Sequence, residues 1–196
     1  MTRKSPTPRG RPRSEKAHQA ILKAALHLVT KIGFRDLTLD AVAAKSGVGK
    51  MTIYRRWPNK AAVVMDAFLA LVGPGTKFPK RPRALDSLKQ QMRLQARFFR
   101  GPYGKMIKAF LGEAQFDPEL SEAFRERWIN PRREMTREVL RAAIRQGDLR
   151  PKDDLEAMID MLYGPIYYRL QIETGPIDDA FTDTVFAQAM DGLKRN

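Results

Sequence analysis

The stretch from Thr38 to Lys60 leaves few folds open. It reads Thr-Leu-Asp-Ala-Val-Ala-Ala-Lys-Ser-Gly-Val-Gly-Lys-Met-Thr-Ile-Tyr-Arg-Arg-Trp-Pro-Asn-Lys. Thr38 is an N-cap residue ahead of a short helix that buries Val42. Gly47 lets the chain turn without a side-chain clash. Lys50 to Trp57 form a second short helix, Pro58 stops it, Asn59 caps the next and Lys60 begins it. Val42, Val48 and Ile53 are the expected buried pins that fix the angle between the two short helices. The unit is a helix-turn-helix.

The flanking sequence is helical too. Residues 1–13 carry Arg3, Lys4, Arg9, Arg11 and Arg13 with three Pro and no acid, so they read as a mobile basic arm. Ser14 is the expected cap of a first helix that places Ile21, Ala24, Ala25, Leu28, Val29 and Ile32 on one face. Gly33 ends it. The helix from Lys60 runs through Val63, Val64, Ala67, Phe68 and Leu71. The Pro- and Gly-rich stretch 73–83 is the best domain boundary, so 14–72 forms one domain and 84–196 another. In the second, helices are expected over 84–99, 103–116, from Asp117-Pro118 to Gly147 with an interruption at Pro131, from Asp153 or Asp154 past Pro165, and from Asp178 or Asp179 to Leu193. No strand alternation is visible, and the fold class is all-α.

Apolar residues make up 43% of the 196, enough for globular cores. Cys is absent and the two His, at 18 and 27, do not share a helix face, so neither a disulfide framework nor a metal centre is expected. There is no apolar stretch of membrane-spanning length and no signal-peptide core, which makes a cytoplasmic protein the default. Neither a phosphate-cradling Gly loop nor a nucleophilic Ser motif is present, so no cofactor and no enzyme activity are expected. Acids near helix starts, such as Asp154, Glu156, Asp160, Asp178, Asp179 and Asp183, read as complements to helix dipoles.

Charge is unevenly placed. Residues 1–60 carry 14 Lys and Arg against 3 acids, whereas residues 61–196 carry 22 against 19. The excess sits on the helix-turn-helix, which points to a polyanion-binding module on a nearly neutral body. Lys50, Thr52, Tyr54, Arg55 and Arg56 surround the second short helix with donors for base edges and phosphates. Thr38 and Asn59-Lys60 each place a helix N-terminus where a phosphate fits. Arg11 and Arg13 can follow the DNA backbone or enter the minor groove. Double-stranded DNA is therefore the expected partner.

At Thr38, Ala43-Ala44, Ser46-Gly47-Val48, Thr52-Ile53-Tyr54, Trp57 and Lys60 the sequence resembles the TetR family of transcriptional regulators, over about residues 11–66. The resemblance implies that Thr38, Tyr54 and Lys60 contact phosphates, and that Lys50, Met51, Thr52 and Arg55 read bases, with Val48 and Gly49 at the DNA-facing turn. Two positions depart from the family pattern. Gly49 replaces a capping Ser or Thr, and Met51 replaces a small residue.

A reader with two short helices covers little DNA, so two copies on adjacent half-sites, about 34–36 Å or a multiple apart, are expected. The last two helices are the candidates for pairing, through Leu162, Ile166, Leu170, Phe181, Val185 and Ala189. The TetR resemblance implies the same homodimer, a bundle of the last two helices from each copy, and the run Gly164 to Leu170 looks like one type of C-terminal domain in that family. It also implies an inducer cavity in the middle helices. These carry a heavy apolar load, and Phe98, Phe99, Tyr103, Met106, Phe110, Phe124, Trp128, Met135 and Tyr163 are the candidate lining for a hydrophobic or aromatic small-molecule effector. Gln95, Arg97, Glu113, Gln115 and Tyr163 are the candidates to orient it. The expected function is a sequence-specific transcriptional regulator, a repressor released from a palindromic operator by that effector. Two rivals are a non-specific DNA-packaging protein and a small-molecule binder that kept the fold without regulation.

Overall fold

The computed structural model describes residues 11–72, 78–150 and 154–193, and among them regular structure is helical throughout. The chain forms two compact units that divide after Ala70, inside a helix and not in the 73–83 stretch.

The first unit holds α1 (Arg11–Ile32), α2 (Leu39–Ser46), α3 (Lys50–Arg56) and most of α4 (Lys60–Val72). The first helix starts earlier than the Ser14 cap anticipates. Pro12 lies in its first turn, where a missing N–H costs nothing because that N–H has no helical acceptor. Arg11 and Arg13 therefore have helical backbone, while the rest of the basic arm lies outside the described residues. Gly33 closes α1 at φ 81°, in the left-handed region that favours glycine. The core is built from Ile21, Ala25, Phe34, Leu37, Val42, Ile53, Trp57 and Ala61, all under a tenth exposed. Trp57 anchors it. Its indole Nε1 donates to Asp66 Oδ2 at 2.6 Å, and its ring stacks on His18 at 5.6 Å. His18 is thus a packing residue.

The second unit holds α5 (Ala84–Arg100), α6 (Pro102–Glu113), α7 (Pro118–Phe124), a π-helical turn at Arg125–Ile129, α8 (Asn130–Arg145), α9 (Leu155–Ile172) and α10 (Asp179–Leu193). The α5 helix is central and packs against α6, α8, α9 and α10. Local caps set several starts. Asp117 accepts from the Leu120 amide at 2.9 Å, Asp154 from Glu156 at 2.8 Å and Asp178 from Phe181 at 2.8 Å. Arg83 provides no cap for α5, and a distant side chain fills the gap. The Ala84 amide donates to Gln146 Oε1 at 2.9 Å, while Gln146 Nε2 donates to the Pro82 carbonyl at 3.1 Å.

Pro131 does not end the long helix expected from Asp117. The chain widens by one residue just before it, so that the Asn130 amide bonds the Arg125 carbonyl five residues back. This places Pro131 in the first turn of α8, where its ring is tolerated. Asp179 and Asp183, expected to act on the helix dipole, also pair with Arg97 and Arg93 of α5. Glu156 and Asp160 pair with Arg133 and Arg137 of α8. Such part-exposed pairs fix register more than they stabilise.

The turn between α5 and α6 depends on a glycine. A Cβ on Gly104 would fall on the Phe99 carbonyl oxygen. Gly104→Ala should destabilise the second unit by about 1–3 kcal/mol through backbone overpacking. A urea melt checks this, and an unchanged midpoint would mean that α6 tilts away without cost.

Candidate DNA-reading head and cavity

Thr38 has extended backbone and its hydroxyl oxygen accepts from the Ala41 amide at 3.1 Å, which starts α2. An accepting hydroxyl keeps its own O–H to donate, and Thr38 is exposed. Gly47 turns the chain at φ 67°, and its amide returns to the Ala43 carbonyl. Gly49 then opens α3 with no side-chain cap, as its lack of a hydroxyl dictates.

The α3 helix has two distinct faces. Ile53 is fully buried, and Trp57 follows at its C-terminus. Lys50, Met51, Thr52, Tyr54, Arg55 and Arg56 are exposed, Met51 to 81%. The inward side chains fix the rotation of the helix, and the outward ones form a cationic ridge. Val42 is buried as expected, whereas Val48 is only half-buried and lies at the edge of the outward face.

Asp40 was not among the sequence candidates, yet it organises this surface. Its carboxylate accepts from Lys50 Nζ at 2.7 Å and from the Tyr54 hydroxyl at 3.1 Å. The Lys50 bond is the main reason its carboxyl is held below the ordinary aspartate value. The same contact raises Lys50 and Tyr54, which stay protonated. The sequence signal was an acid in the first turn of α2, in an otherwise cationic stretch. The Lys60 ammonium donates to the carbonyls of Phe34 at 3.0 Å and Arg35 at 2.8 Å, and lies over the Phe34 ring. It therefore ties α4 to the loop after α1. Asn59 Oδ1 caps α4 by accepting from Ala62 at 2.9 Å.

A cavity of about 650 Å³ lies within the second unit. Of the residues nominated to line it, Tyr163 alone does so. Phe99, Phe110, Phe124 and Trp128 are at most 5% exposed and fill a solid core. Phe98 stacks between Tyr103 and Trp128, Met106 is half-buried, and Met135 faces outward. Large flat rings fill space best against one another, so this aromatic cluster packs as core and does not line the cavity. Among the nominated polar residues, Gln95 and Gln115 join Tyr163 on the lining; Arg97 is instead exposed and pairs with Asp179, and Glu113 is off the lining.

The lining instead uses polar pairs four residues apart on three helices: Gln91 and Gln95 on α5, Arg132 and Thr136 on α8, and Tyr163 and Tyr167 on α9. They form a directed chain. The Tyr163 hydroxyl donates to Gln91 Oε1 at 2.5 Å, Gln91 Nε2 to Gln95 Oε1 at 3.2 Å, and Gln95 Nε2 to the Tyr167 oxygen at 3.4 Å. Trp128 Nε1 also donates to Tyr167, at 3.1 Å. Burial pushes both phenols up, so they stay neutral. Amides repeating every four residues on an apolar helix face were the available signal.

Most of the pairing residues expected on α9 and α10 face inward. Leu162 and Ile166 are fully buried, and Leu170, Val185 and Ala189 are under a tenth exposed. Phe181 lies under the Arg169 guanidinium. Leu162, Ile166, Leu170, Val185 and Ala189 close the core of the second unit, while Phe181 is half-buried. The outward stripe of α9 instead carries Met161, Gly164, Tyr168 and Ile172. Among the described residues no helix is long and apolar enough to cross a membrane, and no acidic or His cluster could hold a metal ion.

Comparison with known proteins agrees with this architecture. Residues 21–67 match the family described as "Bacterial regulatory proteins, tetR family", and residues 83–189 match "Tetracyclin repressor-like, C-terminal domain". Over 186 residues the chain is 38% identical to the uncharacterized HTH-type transcriptional regulator YdeS of Bacillus subtilis, covering 95% of this chain and 94% of that one. It is 29% identical over 175 residues to the DNA-binding transcriptional repressor TetR of Mycobacteroides abscessus, covering 86% and 89%. The crystal structure of the TetR family regulator SCO0332 superposes with a TM-score of 0.75 at 32% identity, over 92% of this chain and 100% of that one. The two domain matches span both units and the relatives match over most of their own length, so the chain belongs to the TetR family of helix-turn-helix transcriptional regulators.

Proposed function

We propose that this regulator is a repressor that binds a palindromic operator as a homodimer and leaves it when a small, largely hydrophobic molecule occupies the second-unit cavity. The observation that carries the DNA half of this reading is the two-faced α3, with Ile53 buried and Lys50, Met51, Thr52 and Arg55 turned outward. Those four read bases; Met51 offers apolar contact to a thymine methyl. Thr38, Tyr54 and Lys60 hold phosphates, with the Lys60 ammonium prepositioned by two loop carbonyls. Pairing through the exposed stripe of α9 fits the burial pattern better than pairing through Leu162 or Ile166. A ligand that prefers one arrangement of the second unit shifts the population toward it and so changes operator affinity.

Footprinting tests the DNA reading. A discrete palindromic window supports it, and even coverage would favour a packaging protein. Arg55→Ala and Thr52→Ala should each cost about 1–3 kcal/mol on the operator and relax its sequence preference. Tyr54→Ala should weaken operator and random DNA alike. Equal losses on both DNAs for all three variants would overturn these roles.

A further inference from the structure

The second-unit cavity and the outward stripe of α9 share residues. Gln91, Gln95, Thr136 and Ile159 give the cavity a buried floor. Its rim, by contrast, is exposed: Gly112 and Gln115 on α6, and Asp160, Gly164, Tyr168 and Ile172 on α9. The last four recur every four residues, so they form one edge of that helix. The cavity is therefore open to solvent along the gap between α6 and α9. A small-molecule site encloses most of its ligand, and this one lacks an outer wall. Tyr168 and Ile172 are 57% and 59% exposed, so apolar surface is left in water at the mouth itself.

That face is suited to its own image. Ala157, Met161, Gly164, Tyr168 and Ile172 run along α9 for about 22 Å, all exposed and none charged. Asp160 beside them is engaged by Arg133. Charged residues make up 30% of the chain, so a long exposed stripe without one stands out, and such patches mark protein contacts. A two-fold interface sets a patch against itself. A charged stripe would repel its copy, and this one does not. An acidic or basic partner would find no complementary charge there. Gly164 lies in the middle of the stripe. Glycine inside a helix is less stable than alanine. Among the described residues nothing lies within 4 Å of where a Cβ on Gly164 or Gly112 would stand. No described neighbour requires either glycine, whereas a second helix crossing at Gly164 gains a close approach.

We propose that the cavity is completed by a second copy of this chain, whose α9 stripe crosses at Gly164 and closes the mouth between α6 and α9. The effector site is then shared. Any ligand in it touches both copies, so its occupancy is linked to their packing. This rests on the reading of the protein as a homodimer. The chain has no Cys, so one introduced thiol reports on the mouth. Gly112→Cys places it on the rim, in open space. Labelling of the full-length protein by a maleimide dye is followed beside sedimentation velocity. Met161 belongs to the stripe but not to its own cavity lining, so Met161→Arg should give a monomer. Above the dimer midpoint the thiol should react at least about tenfold more slowly than in the Met161→Arg background, since only the dissociated fraction is open. Lys23→Cys, exposed on α1, should label at one rate in both backgrounds. The concentration dependence with the stripe unaltered stands even if Met161→Arg fails to fold, and Gln115→Cys repeats the measurement if Gly112→Cys perturbs α6. Equal rates in dimer and monomer, a Met161→Arg chain that stays dimeric, or an unaltered chain that is monomeric at every concentration would overturn the proposal. So would protection that persists in the monomer, because the chain would then cover its own mouth. Footprinting separates the two readings. A palindromic footprint from a dimer whose mouth stays open keeps the homodimer and removes the shared cavity. Protection of the thiol without such a footprint keeps the shared cavity and counts against the palindromic operator.

Discussion

Trp57→Ala should cost the first unit about 3–5 kcal/mol and abolish operator binding, although Trp57 reaches no solvent and touches no base. The indole is 1% exposed and joins three elements: it sits at the end of α3, stacks on His18 of α1 and donates to Asp66 of α4. Truncation leaves a cavity at the point that sets the rotation of α3, and it removes a hydrogen bond from the half-buried Asp66 carboxylate. A loss of this size is a large fraction of the about 5–15 kcal/mol that stabilises a typical domain. Trp57→Phe should retain most of the packing and lose only the hydrogen bond, about 1–2 kcal/mol. Amide exchange along α2 and α3, read beside DNA binding, checks both. Protection unchanged in Trp57→Ala would show that α3 holds its place without the indole.

Salt should act on this protein as strongly as that mutation. The cationic excess is concentrated in the first unit, and Lys50, Arg55 and Arg56 are exposed there. If each protomer neutralises a few phosphates, a dimer makes about 6–10 such contacts, and operator affinity should fall about 10³–10⁵-fold between about 50 and 200 mM salt. Anisotropy titrations give the log–log slope directly. A slope shallower than about −3 would mean that these side chains do not lie along the DNA backbone.

Most helix boundaries were legible because their causes are local. Thr38, Asn59, Asp117, Asp154 and Asp178 each bond an amide within three residues, and Gly33, Gly47 and Gly147 adopt the left-handed turns their positions require. The rotation of α3 was legible for the same reason, since Ile53 and Trp57, four residues apart, fall on one helix face and are both buried. The cavity was not. A list of aromatic residues does not reveal which rings pack against one another and which leave a space, and Phe99, Phe124 and Trp128 pack. Its polar lining depends on which faces of α5, α8 and α9 meet, a property of no single helix. The pairing residues carry a related ambiguity. An apolar stripe on α9 must be covered, but its sequence does not say whether by its own chain or by another copy, and Leu162 and Ile166 are covered by their own.

Asp40 gives the free regulator an internal competitor. Before any nucleic acid arrives, Lys50 and Tyr54 already rest on its carboxylate. Every duplex in the genome must dislodge that tethered anion to engage those two side chains, whatever its sequence. A random stretch gains only backbone contacts in return, whereas the correct site adds base contacts that random sequence lacks. The clamp thus costs both encounters the same free energy and lowers both affinities by one factor, and only the correct site has base contacts to set against it.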